Sequence, residues 1–251
     1  MVGEGSIALN VVILLVVFFL SGLVQGATGF GSGLLALGLL VLFGSPIKDV
    51  SVILVLPSLF VSLSLLWRLW REFRGDRIVP LLVAAVLAVP AGVFLLRESA
   101  PHTLYLILGL LLIASVVQRA IPRLARRRWH PVWMGVPCGL LSGVLAGALN
   151  TGGPPVVAFT STQRFGRHRY AAVLQVAFVV FSLTRLLILT ATGMFTLERL
   201  WLSACGIPMA VVGALLGLRV LSKLSDEWLG RIVAAALLLL GVRYTYLAFA
   251  C

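Results

Sequence analysis

Long apolar stretches recur along this whole chain, and they constrain its fold more than any other feature. Val50–Trp67, Ile78–Leu96, Thr103–Val117, Tyr170–Thr192, Leu200–Leu218 and Leu229–Phe249 carry few charges and approach the roughly 20 residues that a helix needs to cross a bilayer. In lipid the backbone has no water to bond, so each such segment must wind into a helix that satisfies itself. Composition agrees: 61 % of the 251 residues are hydrophobic and 11 % charged, against about half and about a quarter in soluble domains. A cytosolic enzyme, a disordered chain and a disulfide scaffold are excluded. The three cysteines, Cys138, Cys205 and Cys251, show no ligand spacing and read as small buried apolar residues. Ile7–Leu20 follows Glu4 and no Lys or Arg, unlike the basic start of a cleaved signal peptide, so it reads as a membrane helix.

The 20 Lys and Arg against 8 Asp and Glu give a formal charge of +12. A nucleic-acid binder would display that excess on one water-exposed face. Here it gathers in four connectors: Arg68, Arg71, Arg74 and Arg77; Arg119, Arg123, Arg126, Arg127 and Arg128; Arg164, Arg167 and Arg169; Arg219, Lys223 and Arg231. The other connectors hold only Lys48, Arg97, Arg199 and Arg243. Cytoplasmic loops collect Lys and Arg, which puts the four rich connectors inside. Ile78–Leu96 and Thr103–Val117 then form an in–out–in hairpin, Gly44–Asp49 is external, and both termini lie outside.

Two further apolar regions, Ile7–Phe43 and Trp133–Gln163, are interrupted by small residues. The first break reads Gly26-Ala-Thr-Gly-Phe-Gly-Ser-Gly33 and the second Asn150-Thr-Gly-Gly-Pro-Pro155. The charge topology starts and ends each region on one side, so each folds back on itself. Around the breaks, Ser21-Gly-Leu-Val-Gln-Gly-Ala-Thr-Gly-Phe-Gly31 aligns with Ser142-Gly-Val-Leu-Ala-Gly-Ala-Leu-Asn-Thr-Gly152, 121 residues later. The expected fold is therefore an all-α integral membrane protein built as an inverted repeat. Each half is a broken, re-entrant hairpin plus three transmembrane helices, about eight spans and two short half-helices in all. Residues 1–120 form the first repeat, 121–130 a basic cytoplasmic connector and 131–251 the second repeat.

Unwound backbone in lipid costs several kcal/mol per unpaired group and survives only where it lines a polar cavity. Inverted repeats with broken helices near the midplane are the plan of secondary transporters. The segments from Leu34 and from Pro155 onward start helices there, with free N–H groups and positive dipole ends aimed into the break. Two such ends facing each other make a site for an anion. The expected binding residues are Thr28, Gly29, Phe30, Gly31, Ser32 and Gly33 from the first break, and Asn150, Thr151, Gly152, Gly153 and Pro154 from the second. Gly135, Gly139, Gly143 and Gly147, four apart, read instead as a packing face.

Arg185 is the one charge well inside a span, and an intramembrane ionisable group is a functional candidate by default. Gln175 and Ser182 lie within about 80° of it on a helix turning ~100° per residue. Gln175 and Arg185 therefore join the candidate set, the guanidinium fork suiting a sulfonate or carboxylate. The other reading of Arg185 is a side chain snorkelling to the headgroups. Ser51, Ser58 and Ser62 share one face and read as helix–helix hydrogen bonds. All eight acidic residues, Glu4, Asp49, Glu72, Asp76, Glu98, Glu198, Asp226 and Glu227, lie in connectors or at span ends. No carboxylate stands mid-membrane for proton or Na⁺ coupling.

Gly26-Ala-Thr-Gly-Phe-Gly-Ser-Gly-Leu34, Ser142-Gly143…Gly147…Thr151-Gly-Gly-Pro-Pro155 and Gly213…Gly217-Leu-Arg…Leu221…Leu224 resemble the sulfite exporter TauE/SafE family of bacterial membrane transporters. The resemblance covers nearly the whole chain. It implies a multi-pass inner-membrane exporter of sulfite, sulfoacetate or a related organosulfonate. No cofactor or metal is expected. The bilayer and a small anion are the expected partners, nucleic acid is not, and assembly as a homodimer stays open. The rival readings are a non-transporting membrane subunit of a sulfur-metabolism complex and an intramembrane serine hydrolase using Ser32. The latter needs a base within reach, and His102, His130 and His168 all sit at connectors.

Overall fold

The computed structural model describes residues 4–73, 77–120, 130–163, 165–220 and 226–250. The expected connector 121–130, save His130, lies outside the described residues, as do Arg74, Asp76, Arg164, Lys223 and Cys251. The helices are α1 (Glu4–Thr28), α2 (Ser32–Leu42), α3 (Ile47–Ile53), α4 (Val55–Leu69), α5 (Val79–Glu98), α6 (Pro101–Ala120), α7 (Pro131–Leu149), α8 (Gly153–Thr162), α9 (Arg167–Ala191), α10 (Leu197–Val220) and α11 (Asp226–Ala250). No strand occurs among the described residues. Among the described residues, eight units are long and apolar enough to cross a membrane: α1, the near-continuous α3–α4, α5, α6, α7, α9, α10 and α11. Large apolar side chains such as Leu87, Phe94, Leu187 and Leu239 face outward, an arrangement that lipid tolerates and water penalises. The chain is an all-α, multi-pass membrane protein.

Each interrupted region is a full-length helix followed by a half-length one. Both breaks are shorter than the small-residue clusters that mark them. Only Gly29–Gly31 and Asn150–Gly152 leave the helical path, and α2 and α8 begin at Ser32 and Gly153, two residues ahead of the expected starts. Gly31 caps α2 at φ 100°, a backbone conformation that side-chain-bearing residues resist. Pro154 and Pro155 fall in the first turn of α8, where a missing N–H forfeits no intrahelical bond.

The helix pairings come in matched sets. α1 runs along α10 while α7 runs along α5, α4 packs on α9, and α6 packs on α11. Glycines set the first two. A Cβ at Gly22 or Gly26 would overlap the carbonyl oxygens of Ala210 and Ala214, and one at Gly213 or Gly217 those of Phe19 and Leu23. In the other pair, Gly139, Gly143 and Gly147 abut the carbonyls of Leu81, Ala85 and Val89, and Gly92 that of Val144. Backbones this close gain packing that lipid cannot match. Gly135, at the end of the same stripe, has ordinary room instead, since its nearest neighbour would be Phe159 at 3.5 Å.

The span read from sequence as Val50–Trp67 is interrupted at Leu54, between α3 and α4. Pro57 is the cause: it has no N–H to offer the carbonyl of Ile53, four residues back. Ser203 of α10 supplies the missing donor, its hydroxyl bonding Ile53 O at 2.7 Å. Ser203→Ala should therefore leave a buried acceptor unpaired and cost about 1–3 kcal/mol, read as a lowered melting temperature of the detergent-solubilised protein. An unchanged melting temperature would mean that another donor reaches Ile53.

Candidate functional site

The two breaks meet. A Cβ on Gly33, in the first turn of α2, would strike the carbonyl oxygen of Asn150, and one on Gly153 would sit 3.5 Å from the Phe30 ring. Between them lies a cavity of about 40 Å³ lined by residues 30–34 of the first break, residues 150–153 of the second, and Gln25, Ser58, Ser62, Ala146, Phe178, Phe181 and Ser182. A single water needs about 10–15 Å³ on this measure, so the space suits a few waters or one small oxyanion. Ser58 and Ser62 lie near the middle of the span Ile47–Glu72, and Phe178–Ser182 near the middle of His168–Ala191. The cavity is thus at mid-length of the long helices.

The breaks are held in shape by side chains of neighbouring helices. Gln175 donates to Gly29 O at 2.9 Å. Asn150, at φ 58°, donates through Nδ2 to Ser58 Oγ at 2.7 Å and Leu54 O at 3.3 Å. Asparagine is among the few residues other than glycine that accept this left-handed conformation at a helix end. Thr28 Oγ1 lies 2.7 Å from Phe30 O and 2.9 Å from Val24 O, and its single proton serves one of them at a time. Gln25 ties four elements together. Its Nε2 donates to Ser62 Oγ and Gln175 Oε1, both at 3.1 Å, while Ser32 Oγ donates to its Oε1.

No lining residue bears a formal charge. What the wall offers is hydroxyl and amide groups, three phenylalanine side chains, and two helix starts whose first N–H groups have no intrahelical acceptor. In α8 the prolines remove two of those donors. One hydroxyl stands out: Thr151, 3 % exposed, lines the cavity and its Oγ1 has no hydrogen-bond partner in the protein. Buried hydroxyls are nearly always paired, and this one has hydrogen-bonding capacity that the protein does not use. The hydroxyl of Ser32 is engaged by the amide oxygen of Gln25, a group with no basic character.

Of the residues expected at the site, Phe30, Gly31, Ser32, Gly33, Asn150, Thr151, Gly152 and Gly153 line the cavity. Thr28, Gly29 and Gln175 do not; they shape the first break from behind. Pro154 is buried in the first turn of α8 without lining it. Arg185 neither faces the cavity nor snorkels outward. It is fully buried, its Nε donating to Gly147 O at 3.0 Å, Nη1 to Ser51 O at 2.9 Å and Nη2 to Ser51 Oγ at 2.6 Å. Every partner is a neutral oxygen. Ser51 in turn donates to Ala148 O at 2.8 Å, so this serine performs the interhelical role read from sequence. Ser58 and Ser62 also bond across helices, and they line the cavity as well. The guanidinium still sits just behind the wall: Gly147 adjoins the lining residue Ala146, and Ser182, one turn from Arg185 on α9, is itself a lining residue.

Sequence reading passed over Gln25, Phe178 and Phe181. Gln25 carried a usable signal, being the one amide side chain between Val11 and Thr28 and standing one turn before the break. The phenylalanines carried none, because aromatic residues in a span ordinarily pack or face lipid.

No curated protein and no solved structure matches this chain. A family model described as sulfite exporter TauE/SafE matches residues 14–244. That range takes in both breaks, every cavity-lining residue and the glycine-packed helix pairs, and the chain belongs to the TauE/SafE sulfite exporter family of membrane transporters.

Proposed function

We propose that this protein is a secondary exporter of a small sulfur oxyanion, with sulfite favoured over sulfoacetate and larger sulfonates, and that the anion binds between the two breaks. The observation that carries the reading is the unpartnered Thr151 hydroxyl at a cavity flanked by two helix N-termini. The cavity volume of about 40 Å³ supports the smaller candidate. Phe30, Ser32, Gly33, Thr151 and Gly153 then contact the anion, and Gln25, Ser58 and Asn150 hold the walls in register. Arg185 acts from behind as a fixed counter-charge.

The two halves are read as inverted repeats in a bacterial inner membrane, with the four basic connectors, the 121–130 segment among them, cytoplasmic and both termini outside. Several matches support the repeat. The breaks at Gly29–Gly31 and Asn150–Gly152 stand 121 residues apart, each with a left-handed residue at its start. α1 on α10 mirrors α7 on α5. In that orientation the interior-negative potential drives an anion outward by about 2.3 kcal/mol per charge per 100 mV. Export then needs no coupling carboxylate, in keeping with acidic residues confined to connectors and span ends.

The test is sulfite efflux from proteoliposomes holding an interior-negative potential. The wild-type protein should release sulfite well above the protein-free leak. Thr151→Val keeps the shape, breaks no protein hydrogen bond, and removes a hydrogen bond to a charged ligand worth about 1.5–3 kcal/mol. It should slow efflux at limiting sulfite roughly tenfold or more. Wild-type efflux no faster than the leak would sink the transport reading. A Thr151→Val variant as fast as wild type would move the site elsewhere.

A further inference from the structure

Lys48, Arg97 and Arg199 are three of the four cations that sequence reading left outside the cytoplasmic clusters, and they come from three different connectors. The fold brings them to one cleft of about 340 Å³, whose apolar floor includes Ile47, Tyr105 and Met194. Asp49 also lines it and pairs with Arg199 Nη2 at 2.5 Å, while Arg199 Nη1 bonds Met194 O at 2.5 Å. Arg97 meets Glu98 through Nε at 3.4 Å with both side chains exposed, which leaves its two terminal nitrogens without a partner among the described residues. Lys48 spends one N–H on Arg97 O at 2.8 Å and meets no carboxylate. Each acid answers one arginine, so the cluster keeps the positive charge of Lys48 and at least four unspent cationic donors.

We infer that this cleft is a second anion site, distinct from the mid-membrane cavity, and that it takes a small organic anion such as a short alkylsulfonate. Lys48 and Arg97 bind the charged head, and the apolar floor covers the carbon chain. The cleft is the roomier of the two, about 340 Å³ against about 40 Å³, and so has space for a ligand with a carbon chain. The two are joined through one stretch of chain. α3 carries Lys48 and Asp49 at the cleft, and beyond the interruption at Leu54 its continuation α4 carries Ser58 and Ser62 in the cavity wall. The inference stands whether or not the cavity binds sulfite.

Calorimetric titration of the purified full-length protein with ethanesulfonate tests it. Wild type and Thr151→Val should bind with the same affinity. Lys48→Gln/Arg97→Gln, and to a lesser degree Arg97→Gln alone, should weaken binding, the double variant by roughly tenfold. Binding should fade toward 1 M salt, where the screening length falls to about 3 Å. Three results would overturn the site: no heat from wild type, wild-type affinity in both charge variants, or loss of ethanesulfonate binding in Thr151→Val, which would place the ligand in the central cavity.

Discussion

Arg185→Gln is expected to cripple anion binding although Arg185 touches no anion. Removing the guanidinium deletes a buried positive charge behind the cavity. Two unit charges at an effective dielectric near 20 attract by about 4 kcal/mol at 4 Å and proportionately less farther off, so a charge acting from behind the wall corresponds to roughly tenfold or more in affinity. The variant also strips donors from Gly147 O, Ser51 O and Ser51 Oγ, and each buried acceptor left unpaired costs about 1–3 kcal/mol. A fall in stability alone would not separate the two effects. Arg185→Lys does, because it keeps the charge and loses the fork. Its melting temperature should fall toward that of Arg185→Gln while its sulfite affinity stays near wild type. If both variants lose affinity alike, Arg185 matters for geometry and its charge does not.

Gly33→Ala is expected to be as severe by a different route. The added methyl would meet the carbonyl oxygen of Asn150, at the place where the two breaks touch. Neither partner is a flexible side chain end, so one break must shift. Overpacking of this kind costs about 1–3 kcal/mol, and here the displacement falls on the cavity wall itself. Sulfite efflux should drop to the protein-free background while helical content by circular dichroism is retained. Gly166→Ala is the matched control: it sits at φ −61° with nothing near its Cβ direction and should transport as wild type. Full activity in Gly33→Ala would mean that the breaks are not held in contact during transport.

Much of this architecture was legible in the chain itself, for identifiable reasons. Spans follow from apolar length, and no competing fold can hide them. The breaks follow from residues that punctuate helices, so Phe30–Gly33 and Asn150–Gly153 were found at the positions that line the cavity. Small-residue spacing likewise marked Gly139, Gly143 and Gly147 as a contact face. Direction was harder to read than position. Gln175, Ser182 and Arg185 share one face of α9, yet Gln175 supports a loop, Ser182 lines the cavity and Arg185 turns to the α3 and α7 backbones. Helical periodicity gives the shared face, while the neighbours that each residue meets depend on how α4, α5, α7 and α8 pack around it. The interruption at Leu54 was missed because Pro57 lies inside an apolar run, and only the partner Ser203 reveals which carbonyl it freed. The cleft was invisible for a simpler reason, since Lys48, Arg97 and Arg199 are scattered over 150 residues of sequence.

The central claim, an anion seated between the two breaks, is tested most directly by crystals grown with selenite, the selenium counterpart of sulfite, and measured at the selenium edge. The expected result is an anomalous peak within hydrogen-bonding reach of Thr151 Oγ1 and the first N–H groups of α2. A protein that binds selenite in solution but shows its peak only elsewhere, at the outer cleft or on the surface, would contradict the account.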